Sequence, residues 1–336
     1  MLKVGIPRAL AYYSYYPLWE TFFTEIGAQI VVSEPTNKDI LNAGVKDTVN
    51  DACVPIKIYH GHVASLREKV DYLFIPRLVN INRLTTFCPK FLGLPEMIRS
   101  SMDGLPPIID VRVDLRRGRY ELFKICCRVG RIFTRNYWRI LQAYRKALTV
   151  FRRFKGLLEQ GFTPENAIEI IYHPEKNAAS PPSPLVRQLR LALLGYPYEI
   201  YDQYVSVDVV GKLKAMGVSV ITADMIPARQ LMRQAGKIAK TLFWTYSDQA
   251  IKAAYHFFEK RDIDGIIHVT AFGCGPDSMV DKLIEIEARG RRGVPYLSLM
   301  IDEQTAEAGL MTRLEAFVDM LRLRRRLDEH NIPVSR

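Results

Sequence analysis

Cysteine is scarce in this chain, with five in 336 residues. Such a count excludes a disulfide framework as the source of its stability. No uninterrupted apolar run reaches the length of a membrane-spanning helix. No Gly-x-x-x-x-Gly-Lys-Ser/Thr segment occurs, so the chain carries no P-loop of its own. Gly5-Ile6-Pro7-Arg8 follows the first apolar run but lacks the glycine set of a dinucleotide fingerprint. The opening Met1-Leu2-Lys3-Val4-Gly5 runs straight into strand and turn residues and has no signal-peptide architecture, so the expected location is cytoplasmic.

What is present suits a soluble globular protein: 48% hydrophobic and 25% charged residues. A chain of 336 residues can bury a substantial core and is expected to form two or more domains. The net charge of +11 is concentrated in one stretch. Arg112 to Lys155 holds fourteen Lys and Arg against two acids, Asp114 and Glu121, and the remainder is nearly neutral. Such a stretch suits an acidic protein, a nucleic acid or the phosphates of a CoA-like substrate. It equally suits a solvated helical face, because Phe123, Ile125, Val129, Phe133, Trp138, Leu141 and Leu148 are interleaved in it and need a core.

The first third alternates between strand and helix patterns. Strands are expected at Leu2–Pro7, Gln29–Ser33, Asp71–Pro76 and Pro107–Val111. Helices are expected at Trp19–Ile26, Asn37–Gly44 and Thr48–Lys57. Arg116 to about Gly161 reads as helical and lacks proline. Ala179-Ser180-Pro181-Pro182-Ser183-Pro184 reads as a linker. The α/β pattern then returns, with strands at Leu189–Gly195, Val218–Ile221, Gly265–Val269 and Tyr296–Leu299. Helices follow at Val209–Met216, Arg229–Lys260 and Thr312–Leu327. The expected fold class is α/β, two Rossmann-like parallel-sheet domains with a helical segment between them. The expected division is 1–111, then 112–184, then 185–336.

Three cysteines lie beside Pro or Gly: Cys53 in Asp51-Ala52-Cys53-Val54-Pro55, Cys88 in Phe87-Cys88-Pro89-Lys90, and Cys274 in Gly273-Cys274-Gly275-Pro276-Asp277. Thiolate is the soft ligand that iron–sulfur clusters require. The spacing is not the close run of a ferredoxin, so pattern alone favours buried core thiols somewhat. The Pro and Gly neighbours shift the balance, since chains turn there and amides can point outward. Zinc is the competing metal, with His62 or His268 completing a set of four. Cys126 and Cys127 sit together in a helical segment and read as core thiols. Asp302 and Glu303 end a strand, where ligands of such sheets collect. They read equally as general acid or base and as helix-capping charges.

One set of motifs, in order, resembles a known family. These are Gly5-Ile6-Pro7-Arg8-Ala9-Leu10, Ala52-Cys53-Val54-Pro55-Ile56-Lys57 with Gly61-His62, and Cys88-Pro89-Lys90. They continue with Phe272-Gly273-Cys274-Gly275-Pro276-Asp277-Ser278 and Asp302-Glu303 with Thr312-Arg313-Leu314-Glu315-Ala316-Phe317. The chain resembles the acyl-CoA dehydratase activase-related proteins, distant relatives of 2-hydroxyacyl-CoA dehydratase subunits and double-cubane cluster proteins. The resemblance implies two Rossmann-like domains and an oxygen-sensitive cluster, [4Fe-4S] in type, on Cys53, Cys88 and Cys274. It implies a homodimer that accepts low-potential electrons from an ATP-hydrolysing activator and acts on a CoA ester or other small substrate. Gln304 stands where many relatives have His. An electron-transfer or accessory subunit without its own substrate is the alternative. A nucleic-acid-binding role for the basic stretch is the third, disfavoured because no recognised nucleic-acid module is present.

Overall fold

Alternating apolar runs and helical stretches resolve into two similarly wound sheets in a computed structural model, which describes residues 1–118, 120–176, 188–238, 241–290, 294–305 and 307–329. The chain runs β1 (Lys3–Ile6), α1 (Tyr12–Ile26), β2 (Gln29–Val32), α2 (Lys38–Lys46), α3 (Val54–Leu66), β3 (Tyr72–Phe74) and β4 (Arg77–Asn80). It continues through α4 (Pro89–Leu92), α5 (Leu94–Ser101), β5 (Ile108–Ile109) and β6 (Arg112–Asp114) to α6 (Tyr120–Phe133), α7 (Tyr137–Glu159) and α8 (Pro164–Tyr172). The second half is β7 (Leu189–Leu194), α9 (Pro197–Ile200), α10 (Val209–Ala215), β8 (Val218–Thr222), α11 (Ala228–Gln234) and α12 (Thr245–Phe258). β9 (Gly265–Ala271), α13 (Gly275–Gly290), β10 (Tyr296–Ile301) and α14 (Glu307–Glu329) close it.

The first sheet has the order β2-β1-β3-β5 and the second β10-β9-β7-β8, every pairing parallel. β7 and β9 read as continuous buried runs, as strands covered on both faces must. In each sheet the chain crosses first to one side of its opening strand and then to the other. A topological switch point therefore lies between β1 and β3, and another between β7 and β9. One apolar cluster runs from Val4 and Leu73 of the first sheet to Leu191 and Ile267 of the second. A second cluster covers the other face of the second sheet through Ala192, Ile251, Ile266 and Ile284.

α2 and α3 cross in backbone contact. A Cβ added at Gly61 would stand 1.8 Å from the Ile40 carbonyl oxygen, and one at Gly44 would stand 1.8 Å from that of Lys57. Only hydrogen side chains permit this approach, and it fixes where α3 begins.

Several expectations change on folding. The helix expected over 48–57 starts only at Val54, because Cys53 is its N-cap and Pro55 occupies the first turn. The helix expected from Trp19 begins at Tyr12 and carries Pro17 inside it. The stretch 116–161 breaks at Asn136, whose side chain accepts the Arg139 amide and starts α7 anew. The stretch 229–260 also breaks, since Thr86 donates its amide to Phe243 O at 3.0 Å and accepts that of Thr245 at 2.8 Å. A helix cannot pass through residues paired as a bridge. β4 and β6, unforeseen, pair with each other. The expected linker at 179–184 lies outside the described residues. Among the described residues no helix is long and apolar enough to cross a membrane.

Candidate functional site

Each of the three Pro- or Gly-flanked cysteines begins a helix. Cys53 caps α3 with extended backbone (φ −63, ψ 152) and Cys88 caps α4 (φ −62, ψ 157). Cys274 stands in the same place for α13: its carbonyl accepts the Ser278 amide at 3.0 Å. A helix start exposes amides that no carbonyl satisfies, and their positive end favours an anionic sulfur. The amides of Ile56, Phe91 with Lys90, and Asp277 pull the thiol pKa values of Cys53, Cys88 and Cys274 downward. At Cys53 and Cys88 they do so without closing a capping hydrogen bond.

The three helix starts converge. Gly273, in the left-handed conformation (φ +77), brings its loop against Cys53, so that a Cβ there would lie 3.7 Å from Cys53 Cα. Cys53 feels the charge of Cys88, and Cys274 feels that of Cys53. Burial dominates all the same. It pushes the Cys53 thiol up to about 11, and Cys88 and Cys274 upward too, with Glu199 adding to each. Three half-buried sulfurs, free of disulfides, are thus neutral on their own and become thiolates only if a cation joins them.

Zinc does not fit. It needs four donors around one ion, sulfurs at about 2.3 Å from it, and among the described residues no three His, Cys, Asp or Glu side chains could hold a metal ion. Each candidate histidine has its Nε2 engaged. His62 is fully buried with Nε2 3.0 Å from the Thr36 hydroxyl, and His268 Nε2 lies 3.2 Å from Asp277 Oδ1. Thiols are the donor type of a larger group, an iron–sulfur cluster, in which each sulfur would meet a separate iron. Cys126 is buried in the core and Cys127 packs against it, as expected of core thiols.

Asp302 and Glu303 part company. Asp302 Oδ1 accepts the Gln304 amide and the Thr305 hydroxyl, both at 2.9 Å, which closes a local turn. Glu303 pairs with Lys57 Nζ at 2.8 Å, and that hydrogen bond holds its carboxyl below the ordinary range. Lys57 is buried one turn into α3, so the pair ties the end of β10 to the helix that presents Cys53.

Sequence reasoning missed Glu199. It lies in α9, directly after β7, with no exposed surface. Oε2 accepts the Tyr196 amide at 3.3 Å and Oε1 has no partner. Burial, then Asp277, push its pKa well above the carboxylate range. A signal was present: Gly195-Tyr196-Pro197-Tyr198-Glu199 ends a buried strand with a turn, as Gly273-Cys274 does. Aromatic rings wall the site, with Tyr246 centred 5.4 Å from Phe87, 6.0 Å from Phe91 and 5.6 Å from Tyr198.

Two family descriptions match the chain. Residues 3–226 match the CoA enzyme activase uncharacterised domain, and residues 134–321 match the 2-hydroxyglutaryl-CoA dehydratase D-component. The first span contains Cys53 and Cys88, the second Cys274. A search of the curated proteins finds no match.

Proposed function

We propose, on the premise that this chain belongs to the acyl-CoA dehydratase and activase-related family, that Cys53, Cys88 and Cys274 hold one [4Fe-4S] cluster in the crevice between the two sheets. The observation that carries this reading is the convergence of three thiols, each at a helix start, in one half-buried place. When bound, such a cluster supplies one electron at a time and, with three protein thiolates, an iron open to substrate.

The chain's own residues do the rest. The N-terminal amides of α3, α4 and α13 offset the negative charge of the sulfurs. Lys90, whose charge reaches Cys53 and Cys88, adds to this. Phe87, Phe91, Tyr198 and Tyr246 keep water from the back of the site. Glu303, ionised beside Lys57, is a hydrogen-bond acceptor at the rim, and Asp302 shapes the turn that holds it. The electron source in this reading is an ATP-hydrolysing activator, because the chain has no P-loop of its own. The substrate is a CoA ester or similar small molecule that is reduced or dehydrated, and the working unit is a cytoplasmic homodimer. The exposed face of α6 and α7 is where an acidic partner or CoA phosphates are steered.

Anaerobic reconstitution followed by iron and sulfide analysis and electron paramagnetic resonance tests the reading. Wild type and Cys126→Ala retain the cluster, whereas Cys53→Ala, Cys88→Ala and Cys274→Ala each lose most of it. Full iron in Cys274→Ala would refute the ligand set.

A further inference from the structure

A groove of about 670 Å³ opens beside the α2–α3 crossing, and none of the three cysteines lines it. Its volume is that of an ordinary small-molecule site. Two helices end there: α2 at Lys46, with Asp47 as its C-cap, and α5 at Ser101. The last carbonyls of a helix lack intrahelical partners and carry partial negative charge. Hydroxyls take up two of them, since Thr48 donates to Gly44 O at 2.6 Å and Ser101 to Ile98 O at 3.4 Å. A carboxylate at such an end is unfavourable unless a cation accompanies it. Among the described residues Asp47 has no ion pair, although Lys46 adjoins it in the chain. The other acid of the groove, Glu96, is already paired with Arg77.

His60 of α3 lines the same groove and is only 1% exposed. Its Nδ1 lies 2.8 Å from the Ile56 carbonyl oxygen. A carbonyl can only accept, so Nδ1 carries the proton. Burial holds the ring below the ordinary histidine range, against the Ile56 bond and Asp47, which pull it upward. The ring is then neutral near pH 7, and Nε2 is a bare lone pair. No described residue donates to it. A buried acceptor left without a donor is costly, and here the missing donor has a groove through which to arrive.

We propose that this groove binds a primary ammonium group carried on a small apolar body. The ammonium donates one N–H to His60 Nε2 and another to the Asp47 carboxylate, and its charge meets the carbonyl ends of α2 and α5. Met97, packed on the core, and the exposed Val49 flank the apolar body. An alcohol would leave Asp47 without a countercharge. A quaternary ammonium would leave His60 without a donor. A bare metal ion is not the occupant, because among the described residues no three His, Cys, Asp or Glu side chains gather to hold one. The site is independent of the cluster reading.

Isothermal titration calorimetry of the full chain, purified anaerobically, tests this with benzylamine and hexylamine at neutral pH. Both should bind saturably. Benzyl alcohol lacks the charge and benzyltrimethylammonium lacks the N–H, so each should bind at least about tenfold more weakly than benzylamine. Asp47→Asn and His60→Phe should each weaken benzylamine at least about tenfold. Asp39→Asn, which removes an exposed acid from the opposite end of α2, should leave it unchanged. Should His60→Phe fail to fold, the comparison of benzylamine with benzyltrimethylammonium on wild type reads the same lone pair. Absence of saturable binding by both amines overturns the proposal. So does equal affinity for benzyltrimethylammonium, or full affinity in Asp47→Asn. Iron is measured on the same samples: amine binding by a wild type that takes up no iron sinks the cluster reading and leaves this site standing.

Discussion

The two sheets are wound alike and used differently. In both, the opening strand sits inside, flanked by its first and second successors. The first half brings its thiols to the site on excursions: Cys53 follows the α2 crossover and Cys88 follows the short strand β4. The second half delivers Cys274 directly from the end of β9. Their electrostatics also differ. The first half contributes cations, Lys57 and Lys90, and the second contributes buried acids, Glu199 and Asp277. Winding thus fixes where a site can form, while the loops decide its charge. One sheet supplies positive side chains, the other buried acids.

The sharpest way to break this contrast is at the helix starts. Gly61→Ala forces a Cβ into the Ile40 carbonyl, which belongs to backbone and cannot swing aside. A loss of about 3 kcal/mol or more is expected, with Cys53 displaced and iron binding lost. Gly275→Ala, beside Cys274, meets nothing within 4 Å. It should leave stability unchanged or raise it by about 0.5 kcal/mol. Urea unfolding of both variants checks the difference. Equal tolerance at the two glycines would mean that the α2–α3 crossing does not hold Cys53 in place.

The two buried histidines offer a second test, because their environments have opposite signs. His62 is pushed down to about 3 by burial and then by Arg8. The Thr36 hydroxyl donates to Asp202 at 2.5 Å, so it accepts from His62 Nε2–H and leaves Nδ1 bare. Below about pH 6.5 the unfolded chain binds a proton that folded His62 refuses. Its contribution to stability is therefore present above that pH and lost as pH falls towards 3, by at most about 5 kcal/mol. For His268, burial works downward, but Asp277 and then Asp281 outweigh it and raise the pKa. Its contribution is present below the ordinary histidine range and is lost as pH rises through the raised value. In metal-free protein, His62→Gln should flatten the acid limb of the urea midpoint against pH, and His268→Gln should flatten the limb above the ordinary histidine range. Identical profiles would erase the distinction between the halves.

The smallest effect on stability is expected in the basic helices. Arg116 is held by Asp114 at 2.8 Å, so the exposed Arg128 and Arg131 of α6 are the better probes. Reversing both to Glu should change stability by no more than about 0.5 kcal/mol. Electron delivery from an activator should slow, and the effect should fade with added salt. If delivery is unchanged but retention of nucleic acid is lost, the basic face has another partner.

Much of the architecture was legible because its causes are local. The buried runs of β7 and β9, the stop of α1 at left-handed Gly27 and the cap at Asn37 all follow from residue type and spacing. The Pro and Gly neighbours of Cys53, Cys88 and Cys274 marked them as turn residues, and all three proved to be helix starts. The breaks in the two long helical stretches were less visible. Asn136 is an ordinary cap only if the preceding helix ends, and the interruption at Phe243–Thr245 depends on Thr86, more than 150 residues away.

By itself the sequence determined the α/β alternation, the charged outer face of α6 and α7, and which cysteines lie in turns. These are set by periodicity and by backbone restrictions within a few residues. Only the tertiary structure decided that the three turns meet, that Glu303 is held by Lys57, that His62 and His268 answer to different partners, and that Glu199 is buried beside the thiols. Those facts depend on contacts between residues distant in sequence, and on the loss of water around them. Neither is encoded at any single position.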